Sequence, residues 1–113
     1  MAESCLFCRI IAGEIPAQFV AQNDACVAFR DVNPQAPLHV LVVPRRHVAS
    51  LGEASDATLL GEVALTAARV AREQGYGESG FRTVVNDGAD AGQTVRHLHM
   101  HVLAGRAMGW PPG

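Results

Sequence analysis

Residues 97–103 read His97-Leu98-His99-Met100-His101-Val102-Leu103, a strict alternation of imidazole and apolar side chains. A period of two belongs to a β-strand, whose successive side chains leave on opposite faces. A strand over His97–Leu103 would carry three imidazoles on one face, about 6.6–6.8 Å apart along it. Leu98, Met100 and Val102 on the other face suit a core. One histidine on such a strand is ordinarily a satisfied structural residue. Three in alternation each need hydration or a partner, which points to chemistry rather than packing.

The remaining segments supply a frame for that strand. Arg9–Gly13 reads as a short helix stopped by glycine. Ala17–Gln22 and Cys26–Phe29 read as strands joined by an Asn23-Asp24 turn. A proline-punctuated loop, Asp31–Pro37, leads to a buried strand at His39–Val43 that ends at Pro44. Leu59, Leu60, Val63, Ala67, Val70 and Ala71 repeat at helical spacing, so a helix is expected over Ser55–Gln74, with Ser55 as N-cap and Gly75 as its stop. Phe81–Val85 reads as a strand running into an Asn86-Asp87-Gly88 turn. Most connections are too short for parallel crossovers. The expectation is a single α+β domain over residues 1–113 with a mainly antiparallel, five-stranded sheet, one long helix and one short one.

Composition narrows what such a domain can do. A hydrophobic content of 49% and charged content of 18% are those of a globular chain. The formal net charge is −2, with no basic stripe, which argues against nucleic acid or a membrane surface as partner. All nine basic residues are arginines, so neither a Schiff-base lysine nor a P-loop lysine is available. The longest apolar run, Val40–Val43, cannot span a bilayer. Met1–Cys5 lacks the basic and apolar regions of a signal peptide, and three cysteines fit a reducing compartment. A cytoplasmic location is expected.

Two chemistries compete for the histidine face. Alternating histidines can present two imidazoles to one metal ion. Alternatively, one neutral imidazole can attack phosphorus while its neighbours manage charge and protons. An unperturbed pKa near 6.5 leaves the ring mostly neutral at neutral pH. The preceding Gly92-Gln93-Thr94-Val95-Arg96 segment could turn backbone N–H groups, the Gln93 amide and the Thr94 hydroxyl toward phosphate oxygens.

The whole pattern resembles the histidine-triad family, whose signature is three histidines separated by apolar residues. The likeness extends through Phe29–Pro37, Val43-Pro44-Arg45-Arg46-His47 and Val85-Asn86-Asp87-Gly88. The closing Trp110-Pro111-Pro112-Gly113 is similar to the C-terminus of the Hint branch, the purine nucleoside phosphoramidases. The resemblance implies a homodimer whose sheets join, with the tail at 106–113 near the interface and Trp110 near a site. It implies P–N bond cleavage in purine nucleoside phosphoramidates, through a nucleotidyl-histidine intermediate and without a catalytic metal. His99 is then the nucleophile, with His101 and Asn86 at the phosphate, Gln93 and Thr94 on its oxygens or the leaving group, and Gly92 beside them. Asp31 would hold the ribose hydroxyls. Leu6, Phe7, Ile10, Phe29 and Val32 would line the purine pocket, although each could equally be core. Thr94 stands where Hint enzymes usually have serine.

Cys5-Leu6-Phe7-Cys8 has metal-ligand spacing, but a lone C-x-x-C is ambiguous between zinc, redox and incidental cysteines. Zinc would need two more ligands, and His47 and His97 are the candidates. Many microbial relatives of the pattern resemble a structural zinc site of this composition. Four protein ligands would leave no open position, so such a zinc would be structural. On this view His97 serves as anchor while still belonging to the catalytic triad. Cys26 and His39 read as strand residues of the core. Rival functions are a dinucleoside-polyphosphate hydrolase or nucleotidyltransferase, a nucleotide-binding regulatory partner, and a hydrolase with a catalytic metal on the histidine strand.

Overall fold

A computed structural model describes residues 4–113; Met1–Glu3, part of the segment read above for a leader, lie outside it. Five strands form one sheet: β1 (Phe19–Gln22), β2 (Cys26–Arg30), β3 (Leu38–Pro44), β4 (Phe81–Val84) and β5 (Met100–Ala104). Their order is β1-β2-β3-β5-β4 and every pairing is antiparallel. With a short helix α1 (Leu6–Ile11) and a long helix α2 (Ala57–Glu73), this is the expected α+β arrangement. Among the described residues no helix is long and apolar enough to cross a membrane.

The central strand explains its own composition. All seven residues of β3 are buried, because the sheet is covered on both sides. Leu38, Val40 and Val42 pack with Ala28, Val102 and Ala104 against Val63, Ala67, Val70 and Ala71 of α2. Leu41 and Val43, on the opposite face, join Val27 and Phe29 against Phe7 and Ile10 of α1. Period two therefore sends odd-numbered residues of β3 toward α1, and His39 with them.

Element boundaries differ from the sequence expectation for local reasons. Helix α1 starts earlier than Arg9, because the Cys5 sulfur accepts the Cys8 N–H and caps it. Helix α2 is capped by Asp56 and not Ser55, the carboxylate accepting the Leu59 N–H at 3.2 Å. Thr66 joins its buried face, its hydroxyl accepting from the Asn23 amide, while Leu59 and Leu60 are only half-buried. Asn23 makes the expected turn, accepting from the Ala25 and Cys26 N–H groups.

The histidine strand is the main departure. Regular pairing begins at Met100, not at His97. The Leu98 N–H is given to the Val48 carbonyl, outside the sheet, so the chain at 97–99 crosses beyond the ladder. The three imidazoles do not form one even row.

Candidate active site

The β3–β5 register assembles the site. His39 lies opposite Leu103 and Leu41 opposite His101, which makes His39 and His101 diagonal neighbours on the face toward α1. His99 follows two residues before His101, its ring edge-on to Phe7 at 5.0 Å and 5.2 Å from the His101 ring. Both His39 and His99 are 6% exposed.

Backbone groups of fixed polarity determine where each ring carries its proton. The His99 Nδ1 lies 2.7 Å from the His97 carbonyl, which can only accept. Nδ1 is therefore the nitrogen that carries the proton in the neutral ring, whose lone pair is then on Nε2. The Gln35 N–H donates to His39 Nδ1 at 3.0 Å, so the proton of His39 is on Nε2. That Nε2–H donates to His101 Nδ1 at 2.8 Å, leaving the His101 proton on its own Nε2. Neighbouring rings thus offer complementary atoms: a bare nitrogen on His99 and an N–H on His101.

The His101 pKa is pushed down to about 4, by burial first and then by His99 and His39. Burial also lowers that of His39, against a smaller upward pull from Asp31, whose Oδ2 is 3.4 Å away. The rings stay neutral in the folded protein, while in the unfolded chain histidine takes up a proton near pH 6.5. The contribution of these rings to stability is therefore fully present above about pH 6.5 and is lost as pH falls from there toward 4. Thermal midpoints measured across that range should fall toward acid, and His101→Asn should flatten the curve. An equally steep curve in that variant would contradict the assignment.

A cavity of about 770 Å³ opens on these rings. Leu6, Phe7, Ile10, Phe29 and Val32 line it, as do Asp31, Asn86, Gly92, Thr94, His99 and His101. Phe7, Ile10 and Phe29 serve simultaneously as core, and Val32 is fully exposed at the rim. Sequence reading missed Ile15–Gln18, Arg30, Leu41 and Val95, which also line the cavity. It also read His39 as a strand residue, structural sooner than catalytic, because its partner is 62 residues away and only strand register reveals it.

Gln93, Trp110 and His97 are not among the lining residues. The Gln93 amide is engaged inside its own loop and with Ala49. Trp110 is 83% exposed, with the Arg82 guanidinium 6.0 Å from its ring. The Gly92 and Gln93 N–H groups donate to the Ala89 and Gly88 carbonyls. On that side the cavity is left with the Thr94 hydroxyl and Asn86 amide as side-chain donors.

His97 belongs to a second cluster, directly behind the cavity. Its Nε2–H donates to the Pro44 carbonyl at 2.8 Å, so the Nδ1 lone pair faces Cys5, Cys8 and His47. The four ligand atoms lie within 4.8 Å of one another. Nδ1 of His97 is 3.2 Å from Nδ1 of His47, and three of the S···N separations are 3.3, 3.4 and 3.5 Å. Tetrahedral zinc, with its usual bond lengths, spaces nitrogens by about 3.3–3.4 Å and sulfur from nitrogen by about 3.5 Å. The donor set fits. Burial and then Cys5 push the Cys8 thiol up to about 11, a penalty that a bound cation would reverse. Asp31, His39 and His101 also converge, but the 2.8 Å between the two nitrogens is a hydrogen-bond length.

Comparison with known proteins agrees with this geometry. The HIT domain profile matches residues 12–108. An uncharacterised HIT-like protein of Synechocystis is 51% identical, the alignment covering all of both chains. The crystal structure of a HIT family hydrolase from Legionella pneumophila superposes with a TM-score of 0.95 at 44% identity, covering 97% of this chain and 100% of that one. A histidine triad protein from Clostridium difficile gives a TM-score of 0.89 at 42% identity over 93% of each chain. Profile, sequence and fold thus converge with the paired imidazoles at the cavity: this chain belongs to the HIT domain family.

Proposed function

We propose that the protein hydrolyses purine nucleoside 5′-phosphoramidates to the nucleoside monophosphate and the free amine, by way of a nucleotidyl-His99 intermediate. The observation that carries this reading is the fixed tautomer of His99, whose unprotonated Nε2 belongs to a ring lining the cavity beside the protonated Nε2 of His101. A hydrolase among the structural neighbours supports the reaction class.

The base would lie among Leu6, Phe7, Ile10 and Phe29, with Asp31 accepting from the ribose hydroxyls. Attack by His99 Nε2 forms an N–P bond as the P–N bond to the amine breaks, and the departing nitrogen takes up a proton from solvent, which the later attack of water returns. His101 Nε2–H, the Thr94 hydroxyl and the Asn86 amide stabilise charge on the phosphoryl oxygens. Water then attacks phosphorus, its proton is released, and His99 Nε2 is restored. The extra methyl of Thr94, relative to serine, narrows the leaving-group side. We place a structural zinc on Cys5, Cys8, His47 and His97, where it would fix the segment preceding His99. All four positions would be protein ligands, so the reaction needs no metal-bound water. The reading includes a homodimer joined through the exposed β4 edge, where Phe81 and the tail Trp110 present apolar surface.

The test is release of AMP from adenosine 5′-phosphoramidate in excess chelator. Turnover is expected to persist on a timescale over which the fold stays intact. No AMP release by the untreated protein would sink the activity, whereas loss on chelation with the fold preserved would favour a catalytic metal.

A further inference from the structure

The residues between Asn86 and Arg96 alternate between two duties. Asn86, Gly92, Thr94 and Val95 line the cavity, whereas Asp87, Gln93 and Arg96 form bonds within the loop and to the segment at 49–53. The Gln93 side chain is saturated. Its oxygen accepts from the Gly88 N–H and from Arg96 Nη1, both at 3.0 Å. Its nitrogen donates to the Ala49 carbonyl at 2.8 Å and to the Val95 carbonyl at 3.0 Å. An amide has two donors and two acceptor lone pairs, so nothing is left for a ligand.

A second tie lies a few residues away. The Asp87 carboxylate accepts the Gly52 N–H at 2.7 Å, and a Cβ at Gly52 would stand 2.7 Å from the same oxygen. Close approach of that carboxylate is therefore possible only because residue 52 is glycine. Arg96 completes the connection with Glu53 at 2.9 Å. Both ties run from the loop to the short 3₁₀ turn at Leu51–Glu53 and its approach. Each holds the neighbour of a cavity residue: Asp87 beside Asn86, and Gln93 between Gly92 and Thr94.

We propose that Gln93 is a positioning residue which, with Asp87, clamps the 86–96 loop to residues 49–53 and so sets where Asn86 and Thr94 meet the ligand's phosphate. The amide does not contact substrate; it removes the freedom of the loop that does. Such a device acts on the chemical step more than on binding, since the apolar base pocket is built from α1 and β2. Misplacing a reacting group by about 1 Å is enough to cost about a hundredfold in rate.

The kinetic arm rests on the proposed phosphoramidase activity, and the structural arm does not. In Gln93→Ala, or in the volume-conserving Gln93→Met should the first fold poorly, backbone amides at Gly92 and Gln93 should exchange at least about tenfold faster. AMP formation from adenosine 5′-phosphoramidate should lose about tenfold to a hundredfold in kcat, with KM and adenosine affinity held. Asp87→Ala should act in the same direction, and the double variant should lose less than the product of the single losses. Unchanged exchange overturns the clamp, as does a fully multiplicative double variant or wild-type kcat with a loosened loop. A fall in kcat with unaltered exchange would instead mark a direct substrate contact and also overturns it. Were the wild type inactive on this substrate, the exchange result alone would still decide.

Discussion

His99→Ala should reduce release of nucleoside monophosphate by about a thousandfold or more, the scale on which removal of a nucleophile is felt in covalent catalysis. Affinity for AMP should change far less, because the base pocket and Asp31 are untouched. The variant should also fold. His99 packs against Phe7 and bonds to the His97 carbonyl, yet it belongs to neither main core cluster. The chemistry supplies a second readout. A nucleotide bonded to imidazole nitrogen is labile to acid and stable to base, so quenching the wild type during turnover under alkaline conditions should retain labelled nucleotide on the protein. That adduct should vanish in His99→Ala. His101→Asn should slow turnover less and still form the adduct, because it loses a hydrogen bond to the phosphoryl group rather than the attacking atom. An adduct persisting in His99→Ala would reassign the nucleophile, with His101 as the next candidate.

The difference between His99 and His101 was only half legible in the sequence. Alternation announces a strand and a polar face, and the family likeness separates nucleophile from phosphate contact. Neither shows why one ring presents a lone pair and the other an N–H. That polarity is imposed by groups the alternation does not display, the His97 carbonyl on one ring and, through His39 outside the motif, the Gln35 N–H on the other. Gln35 and His39 are four residues apart in a proline-rich loop and the strand after it, where no periodic signal marks them. The same limit explains the strand boundary. Spacing alone would continue β5 back to His97, but the Leu98 N–H finds Val48 and the His97 ring finds Pro44.

The fold was more accessible because its signals are local. An unbroken apolar run at Val40–Val43, closed by Pro44, reads as a buried strand, and the 3.6-residue stripe beginning near Leu59 reads as a helix with one face turned to the core. Caps were the weak point. Ser55 and Asp56 are both good N-cap residues, and the choice between them depends on which side chain reaches the third helical N–H. For Gln93, residue type suggested a phosphate ligand, while the bonds to Ala49 and Val95 depend on how the loop closes against a segment over 40 residues away.

Substitution of Cys8 by serine should abolish zinc binding and lower the thermal midpoint by at least about 10 °C, given that a few kcal/mol shifts a domain of this size by that much. Zinc bound by four protein ligands contributes to folding outright, because the unfolded chain offers no assembled site. The effect should be concentrated at α1. Six residues are too few to hold a helix by propensity alone, and α1 is fastened by its own cap at Cys5 and by the cluster that Cys5 and Cys8 enter. Loosening it would withdraw Phe7 and Ile10 from the cavity wall, and Phe7 from the edge of His99. Cys8→Ser should therefore raise KM for the nucleotide and make the first dozen residues sensitive to protease, while Cys5→Ser should do the same. Cys26 provides the control: it is buried between the sheet and α2, away from the cluster, so Cys26→Ser should keep its zinc whatever it costs in packing. The measurement is zinc content by elemental analysis beside the melting curve of each variant. Wild-type protein without zinc, or Cys8→Ser with unchanged zinc, would end the metal assignment. Loss of zinc with an unchanged midpoint would keep the ion but deny it a part in holding α1, and the anchoring role of His97 would then rest on its bond to Pro44 alone.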